Sequence, residues 1–249
     1  VGIALVAFTL LTGCVSRLAR VGDGLQSSFE GFVPGRIALL PCRLWPAAGV
    51  LASWPTAVVT PRERQDFCAR VDQFVLDGFK DQPLMKGISP QLVGQLLERA
   101  GRKDLPDQIE QVWRRLPEDC FDCDRAASFY THSIRQRPEW RAWLADLGMA
   151  AANSDAVLIP WIYYFGEERV NERGLLVSRR RLGAGLFLLS TQNGEMIWSG
   201  SRDGLAQNHV LARPGSGAAW PEFPAWEQVY ASWSKDVLWR EFPGRQVQE

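Results

Sequence analysis

Between Ala156 and Arg202 the hydrophobic period of the chain changes, and that change limits the fold more than any other stretch. Upstream, apolar residues recur three and four apart; here they run continuously or alternate, as strands do. Ala156 to Phe165 is apolar on both faces, the mark of a central strand, although Pro160 demands a bulge or a locally unpaired position. Arg179 to Leu189 alternates Leu182, Ala184, Leu186 and Leu188 against Arg181, Gly183, Gly185 and Phe187. Asn193 and Gly194 then supply a tight turn into Met196 to Arg202, which predicts an antiparallel hairpin.

Earlier in the chain, Ile37, Ala38, Leu39 and Leu40 lie between Gly35 and Pro41 and read as a short buried strand. A helical block separates this strand from Ala156. Thr60, Pro61 and Glu63 form an N-cap, a proline at the first helical position and a capping-box glutamate, after which Phe67, Val71, Phe74, Val75 and Phe79 share one face. Ser89 and Pro90 open a second helix with Leu92, Val93, Leu96, Leu97 and Ala100 inward, stopped at Gly101. A third helix is expected from Pro106 to Leu116, a fourth from an Asp124 cap through Phe129, Tyr130 and Ile134, and a fifth after Pro138 with Trp140, Trp143, Leu144 and Leu147. Residues 204–222 read as loop, and Trp226, Val229, Tyr230, Trp233 and Val237 as a closing helix. This order predicts a single α/β domain with a mixed sheet, a C-terminal antiparallel hairpin and helices mainly on one face.

Twenty-eight basic and 28 acidic residues give no net charge, which argues against nucleic acid as a partner. Eleven Trp and 12 Phe point to an aromatic core.

The N-terminus addresses location. Val1 to Leu11 is uncharged and apolar, and 13 residues make a helix of about 20 Å, short of the roughly 20 residues that cross a bilayer. The stretch fits a signal-peptide core, and Leu11, Thr12, Gly13 and Cys14 resemble the lipobox of bacterial lipoproteins. That resemblance implies cleavage before Cys14 and fatty acyl chains, palmitate among them, on its side chain. Val15 in place of Asp implies the outer membrane, with the domain facing the periplasm. An opening on Val, without the basic residues that precede such a core, predicts further residues upstream. The expected divisions are a signal peptide at 1–13, a lipidated tether at 14–34, a periplasmic domain at 35–243 and a tail at 244–249.

A second resemblance rests on Arg36 to Pro41, Ser154 to Ile159, and the hairpin Gly185 to Gly200 with Thr191, Gly194, Glu195, Ile197 and Trp198. Together they look like envelope lipoproteins whose domain is similar to the N-terminal domain of TolB. It implies a fold and a compartment and carries no catalytic residue.

Four cysteines remain besides Cys14: Cys42, Cys68, Cys120 and Cys123. In an oxidising compartment an even set reads as two disulfides. Of the three connectivities, Cys42 with Cys68 and Cys120 with Cys123 is favoured, because Cys42 ends a strand and Cys68 lies in the next helix. The Cys120–Cys123 spacing ahead of a capped helix also suits a thiol oxidoreductase, but Glu118, Asp119, Asp122 and Asp124 disfavour a thiolate there. Zinc on the four cysteines lacks a second CxxC, and neither His132 nor His209 has spaced ligand companions.

Gly183 and Gly185 echo a dinucleotide fingerprint, yet they sit inside a strand that leads into no helix. Gly215, Ser216 and Gly217 lack nucleophile-elbow spacing. Arg179, Arg180 and Arg181 read as a solvated strand end ahead of a grip for phosphate or lipid head groups. These residues predict no catalytic site, metal or cofactor. The expected function is a non-enzymatic, membrane-anchored accessory or structural subunit of a cell-envelope assembly with a protein partner. The alternatives are the Cys120/Cys123 oxidoreductase and a small-ligand carrier with a pocket of Trp161, Tyr163 and Trp198.

Overall fold

The apolar run before Pro41 forms a strand, β2 (Arg36–Leu39), which lies between two parallel neighbours, β4 (Lys86–Ile88) and the start of β5 (Ala156–Glu172). The computed structural model describes residues 24–25, 29, 31–44, 61–80, 82–113, 135, 137–211, 219–233 and 242–244. The remaining strands are β1 (Gly24–Leu25), β3 (Arg43–Leu44), β6 (Leu175–Ser190) and β7 (Met196–Leu211). They make one open mixed sheet in the order β1-β7-β6-β5-β2-β4, with β3 paired to β5 beyond the end of β2. Pairing is parallel around β2 and β3 and antiparallel from β5 through β6 and β7 to β1.

The described helices are α1 (Pro61–Lys80), α2 (Pro90–Arg99), α3 (Leu105–Trp113), α4 (Pro138–Ala150) and α5 (Trp226–Ser232). Ser89 caps α2 by accepting from Leu92 N–H at 3.3 Å, and Gly101 leaves it at φ +69°. Leu92, expected inward, is exposed, while Val93 and Leu97 carry the buried face. The helix expected from Asp124 lies outside the described residues.

Alternate residues of β5 define two cores. Ala156, Leu158 and Ile162 pack with Val71 and Val75 of α1, Val229 of α5 and Trp233 just after it. Val157, Ile159 and Trp161 pack with Leu97 of α2, Ile109 of α3 and Trp140, Leu144 and Leu147 of α4. Both faces of the sheet are therefore covered, with three described helices on one and two on the other. The chain order explains the division. It leaves β2 for β4 on one side through α1, then returns past β2 to β5 through α2, α3 and α4. Right-handed crossovers running in opposite directions place their helices on opposite faces.

Pro160 sits in regular register opposite Leu186. Leu40 N–H donates to the Leu158 carbonyl at 3.0 Å, so even-numbered residues at this point turn their main chain toward β2. Pro160 therefore points at the break between β2 and β3, where no donor is needed. The bulge falls later, between Ile162 and Tyr164. The three long strands also outrun their expected limits. β5 and β6 meet at a two-residue loop, Arg173 (φ +53°) and Gly174 (φ +85°), with Gly174 N–H donating to Asn171 Oδ1 at 3.2 Å. β7 continues to Leu211 through residues expected as loop. At the other end, Gly24 and Leu25, expected in a tether, pair with Ser199 and Trp198, and Phe29 and Phe32 pack on the core.

Asp155 joins the two halves of the sheet. Its Oδ2 accepts from Gly35 N–H (2.9 Å) and Arg36 N–H (3.0 Å), and its own N–H donates to Arg36 O (2.9 Å). The Asp155 carbonyl accepts from Thr191 N–H in the β6–β7 turn (3.1 Å). Hydrogen bonds to a charged acceptor are worth about 1.5–3 kcal/mol each before solvent exposure weakens them. Asp155→Ala is expected to lower unfolding free energy by about 2–3 kcal/mol in urea titration, and Asp155→Asn by less.

Candidate functional site

Beyond the bulge, β5, β6 and β7 continue as a three-stranded antiparallel arm spanning residues 165–172, 175–182 and 203–211. Its root is fixed by aromatic packing. Phe165 stacks on Phe67 of α1 at 4.9 Å between ring centroids, and Phe67 meets the Trp226 ring edge-on at 4.5 Å. Gly204 lets the α5 backbone approach β7: a Cβ there would stand 2.5 Å from Val229 O and 2.9 Å from Trp233 Cβ. Ser232 Oγ accepts from Leu205 N–H at 2.7 Å and completes this junction.

Charged side chains share in closing both faces of the arm. On one face Arg180 pairs with Glu167 at 2.6 Å, donates through Nη1 to Pro224 O at 2.7 Å, and lies over the Phe223 and Trp226 rings. Arg169 covers Phe223 at 4.8 Å. Ser178 Oγ donates to Pro221 O (2.6 Å) and Asn208 Nδ2 to Glu222 O (2.9 Å), so residues 221–224 are strapped across the strands. On the other face Arg179 bridges Glu168 (2.6 Å) and Glu172 (3.0 Å), and these carboxylates hold it still more firmly protonated. Arg179 and Arg180 are thus neither a solvated strand end nor an open anion grip. Their charges are spent inside the arm, where their stems cover the strands.

The outer edge of β7 is different. β1 pairs only with Trp198 and Ser199, and from residue 200 to 211 no strand neighbours that edge among the described residues. Beyond Leu205, whose N–H is taken by Ser232, Val210 and Leu211 are exposed there, Leu211 at 66 %. A sheet edge of this kind can accept an added strand, with main-chain groups giving affinity and side chains giving selectivity.

The cysteines are brought together in part. Cys42 is buried just after β2, and Cys68 on α1 packs against it within hydrogen-bonding contact; both are free thiols. Asp72, one helical turn beyond Cys68, accepts from Cys42 N–H with Oδ1 at 3.0 Å and Oδ2 at 3.3 Å. Sequence reasoning missed Asp72, although its i+4 spacing from Cys68 was visible. Cys14, Cys120, Cys123 and His132, with residues 215–217, lie outside the described residues. His209 is exposed on β7 opposite Val177.

The carrier pocket is corrected. Trp161 and Trp198 are each 1 % exposed and belong to the two different cores, on opposite faces of the sheet. They line no common space. Gly183 and Gly185 sit within β6 opposite Asp203 and Ser201, not at a phosphate-binding turn. At the carboxyl end of β2, where crossovers diverge and α/β folds often bind ligands, β3 fills the gap by pairing with β5. The adjoining cleft, lined by Leu40, Ile109 and Trp161, is spanned by an Arg43–Glu110 ion pair at 2.9 Å. Among the described residues no three His, Cys, Asp or Glu side chains stand where they would hold a metal ion.

No protein-family model and no curated protein matches this chain. Among solved structures, lipoprotein GNA1162 from Neisseria meningitidis is similar over 70 % of this chain and 84 % of that one, at 15 % identity and a TM-score of 0.37. The LpoB C-terminal domain from Salmonella enterica matches over 74 % and 84 %, at 11 % identity and a TM-score of 0.28. The hypothetical protein CT253 from Chlamydia trachomatis matches over 70 % and 73 %, at 11 % identity and a TM-score of 0.36. Strand order and register, not these distant likenesses, define the fold described above.

Burial pushes Asp72 up from 3.8 to about 7, against the opposing pull of Cys42 N–H and Arg43. A carboxyl raised in this way holds its proton more tightly when folded. Its contribution to stability is full below about pH 4 and is lost as pH rises to about 7. Asp72→Asn is expected to flatten this decline, which urea midpoints at pH 4, 5.5 and 7 would measure; an unchanged slope would assign it to other groups.

Proposed function

We propose that this protein is a lipid-anchored outer-membrane lipoprotein facing the periplasm, and that it serves without catalysis as an accessory subunit of a cell-envelope assembly. The observation that carries this reading is the apolar run from Val1 leading into Leu11, Thr12, Gly13 and Cys14. Acyl chains bind a bilayer with about 0.8 kcal/mol per buried methylene, and two of them suffice for stable attachment. Among the described residues no helix is long and apolar enough to cross a membrane. The likeness of Arg36 to Pro41 and of the β6–β7 hairpin to the TolB N-terminal domain belongs to the same proposal. In it the partner is an envelope protein that adds an extended segment to the outer edge of β7 beyond the α5 contact at Leu205, where Val210 and Leu211 offer apolar contacts beside main-chain donors and acceptors.

Cys14→Ala is expected to abolish incorporation of labelled fatty acid and move the protein from the membrane to the soluble fraction; unchanged labelling would overturn the anchor. Photo-crosslinking in intact cells from position 207 should trap one envelope protein, whereas a probe at Leu92, exposed on α2, should not. Equal capture from both positions would overturn docking at the arm.

A further inference from the structure

Cys42 and Cys68 are 26 positions apart and meet only because α1 packs on the sheet where β2 ends. The helix takes hold of Cys42 at two points one turn apart: Cys68 lies against its sulfur, and Asp72 accepts its main-chain N–H at 3.0 and 3.3 Å. Residues i and i+4 share a helix face, so the two grips reinforce each other. Asp72 thereby fixes the backbone that carries the Cys42 thiol beside Cys68. The pair is also asymmetric. Cys42 is 5 % exposed, whereas Cys68 is half-buried. Burial first, and then the neighbouring thiol, push the Cys42 pKa up, which makes it a poor first nucleophile.

We propose that Cys42 and Cys68 form an oxidation site in which Cys68 is the entry thiol and Cys42 the resolving thiol, closing to an intramolecular disulfide. The oxidant is itself a disulfide, small or protein-borne. The Cys68 thiolate attacks one of its sulfurs, forms a mixed disulfide and expels one thiolate. Cys42, deprotonated, attacks the Cys68 sulfur, forms the Cys42–Cys68 bond and expels the second thiolate. The two cysteine thiols are oxidised by two electrons, the oxidant is reduced to two thiols, and the two protons released by the cysteines return to them. No metal or cofactor enters. The bond joins the β2–β3 connection to α1 one residue from Phe67, the ring that packs on Phe165 and Trp226 at the root of the arm. Oxidation would therefore fasten the helix on which the arm is seated. The inference is independent of the membrane anchor, because the chemistry needs only the folded chain and a disulfide.

Tryptic peptides resolve the test. Cys42 falls in the peptide Ile37 to Arg43 and Cys68 in Gln65 to Arg70, while Cys120 and Cys123 share Leu116 to Arg125. The folded, fully reduced protein is treated with oxidised glutathione, quenched with an alkylating agent and digested without reductant. The expected product is a single species linking Ile37–Arg43 to Gln65–Arg70, lost on reduction. Cys42→Ser should instead accumulate glutathione on Gln65–Arg70, and Cys68→Ser should leave Cys42 unmodified until denaturant is added. Recovery of the two wild-type peptides unlinked, or of Cys42 joined to Leu116–Arg125, would overturn the pairing. Rapid modification of Cys42 in folded Cys68→Ser would overturn the order of attack. The wild-type measurement needs no substitution, so a variant that fails to fold leaves it intact.

Discussion

The sheet depends on one carboxylate. Asp155 stands at the entry to β5 and accepts two main-chain N–H groups from Gly35 and Arg36, roughly half the chain away. Parallel pairing across so long a connection has no turn to set its register, and closing the loop costs entropy that only long-range contacts offset. The same residue also reaches Thr191, so the start of β2, the start of β5 and the β6–β7 turn are fixed by one side chain and its own peptide groups. Everything between Arg36 and Asp155, including four of the described helices, hangs from that junction.

What the sequence disclosed follows from what hydrophobic periodicity can measure. β2, the inner half of β5, the β6–β7 hairpin and helices α1, α2, α4 and α5 bury apolar side chains at strand or helix spacing, and their residues announce them. β3 and β4 are two and three residues long, too short for any period. The outer halves of β5, β6 and β7 escaped for a different reason. Glu167 and Glu168 are half-buried by pairing with Arg180 and Arg179, and a polar pair that shields its own strand looks, in sequence, like a solvated strand end. The Arg173–Gly174 loop lacks the Asn-Gly or Asp-Gly signature usual for two-residue hairpins, although its left-handed angles are of the same kind.

The candidate surface was less legible than the fold. The tryptophans that suggested a ligand pocket are separated by the thickness of the sheet, because Trp161 and Trp198 obey the alternation of their own strands. Proximity of Cys42 and Cys68, as free thiols, follows from a strand end meeting the next helix. The third member, Asp72, carries no signal of its own until the fold shows which backbone group it serves. The arm's edge could not be read at all, since an edge is a property of sheet order, not of any one strand.

The bulge between Ile162 and Tyr164 acts as a register key for the arm. Before it, paired positions in β5 and β6 sum to 346, as in Ile162 and Ala184; after it they sum to 347, as in Tyr164 and Gly183. Were the first register kept through the arm, with no bulge, Arg180 would stand opposite Gly166, Arg179 opposite Glu167 and Glu168 opposite Ser178. Arg180 would face no carboxylate, and only Arg173 would remain to join strands that need at least two residues to turn. A single irregular position thus sets Arg180 opposite Glu167 and Arg179 opposite Glu168 while leaving the apolar pairing of the body unchanged. Core and arm are two separately phased ladders built from the same strands.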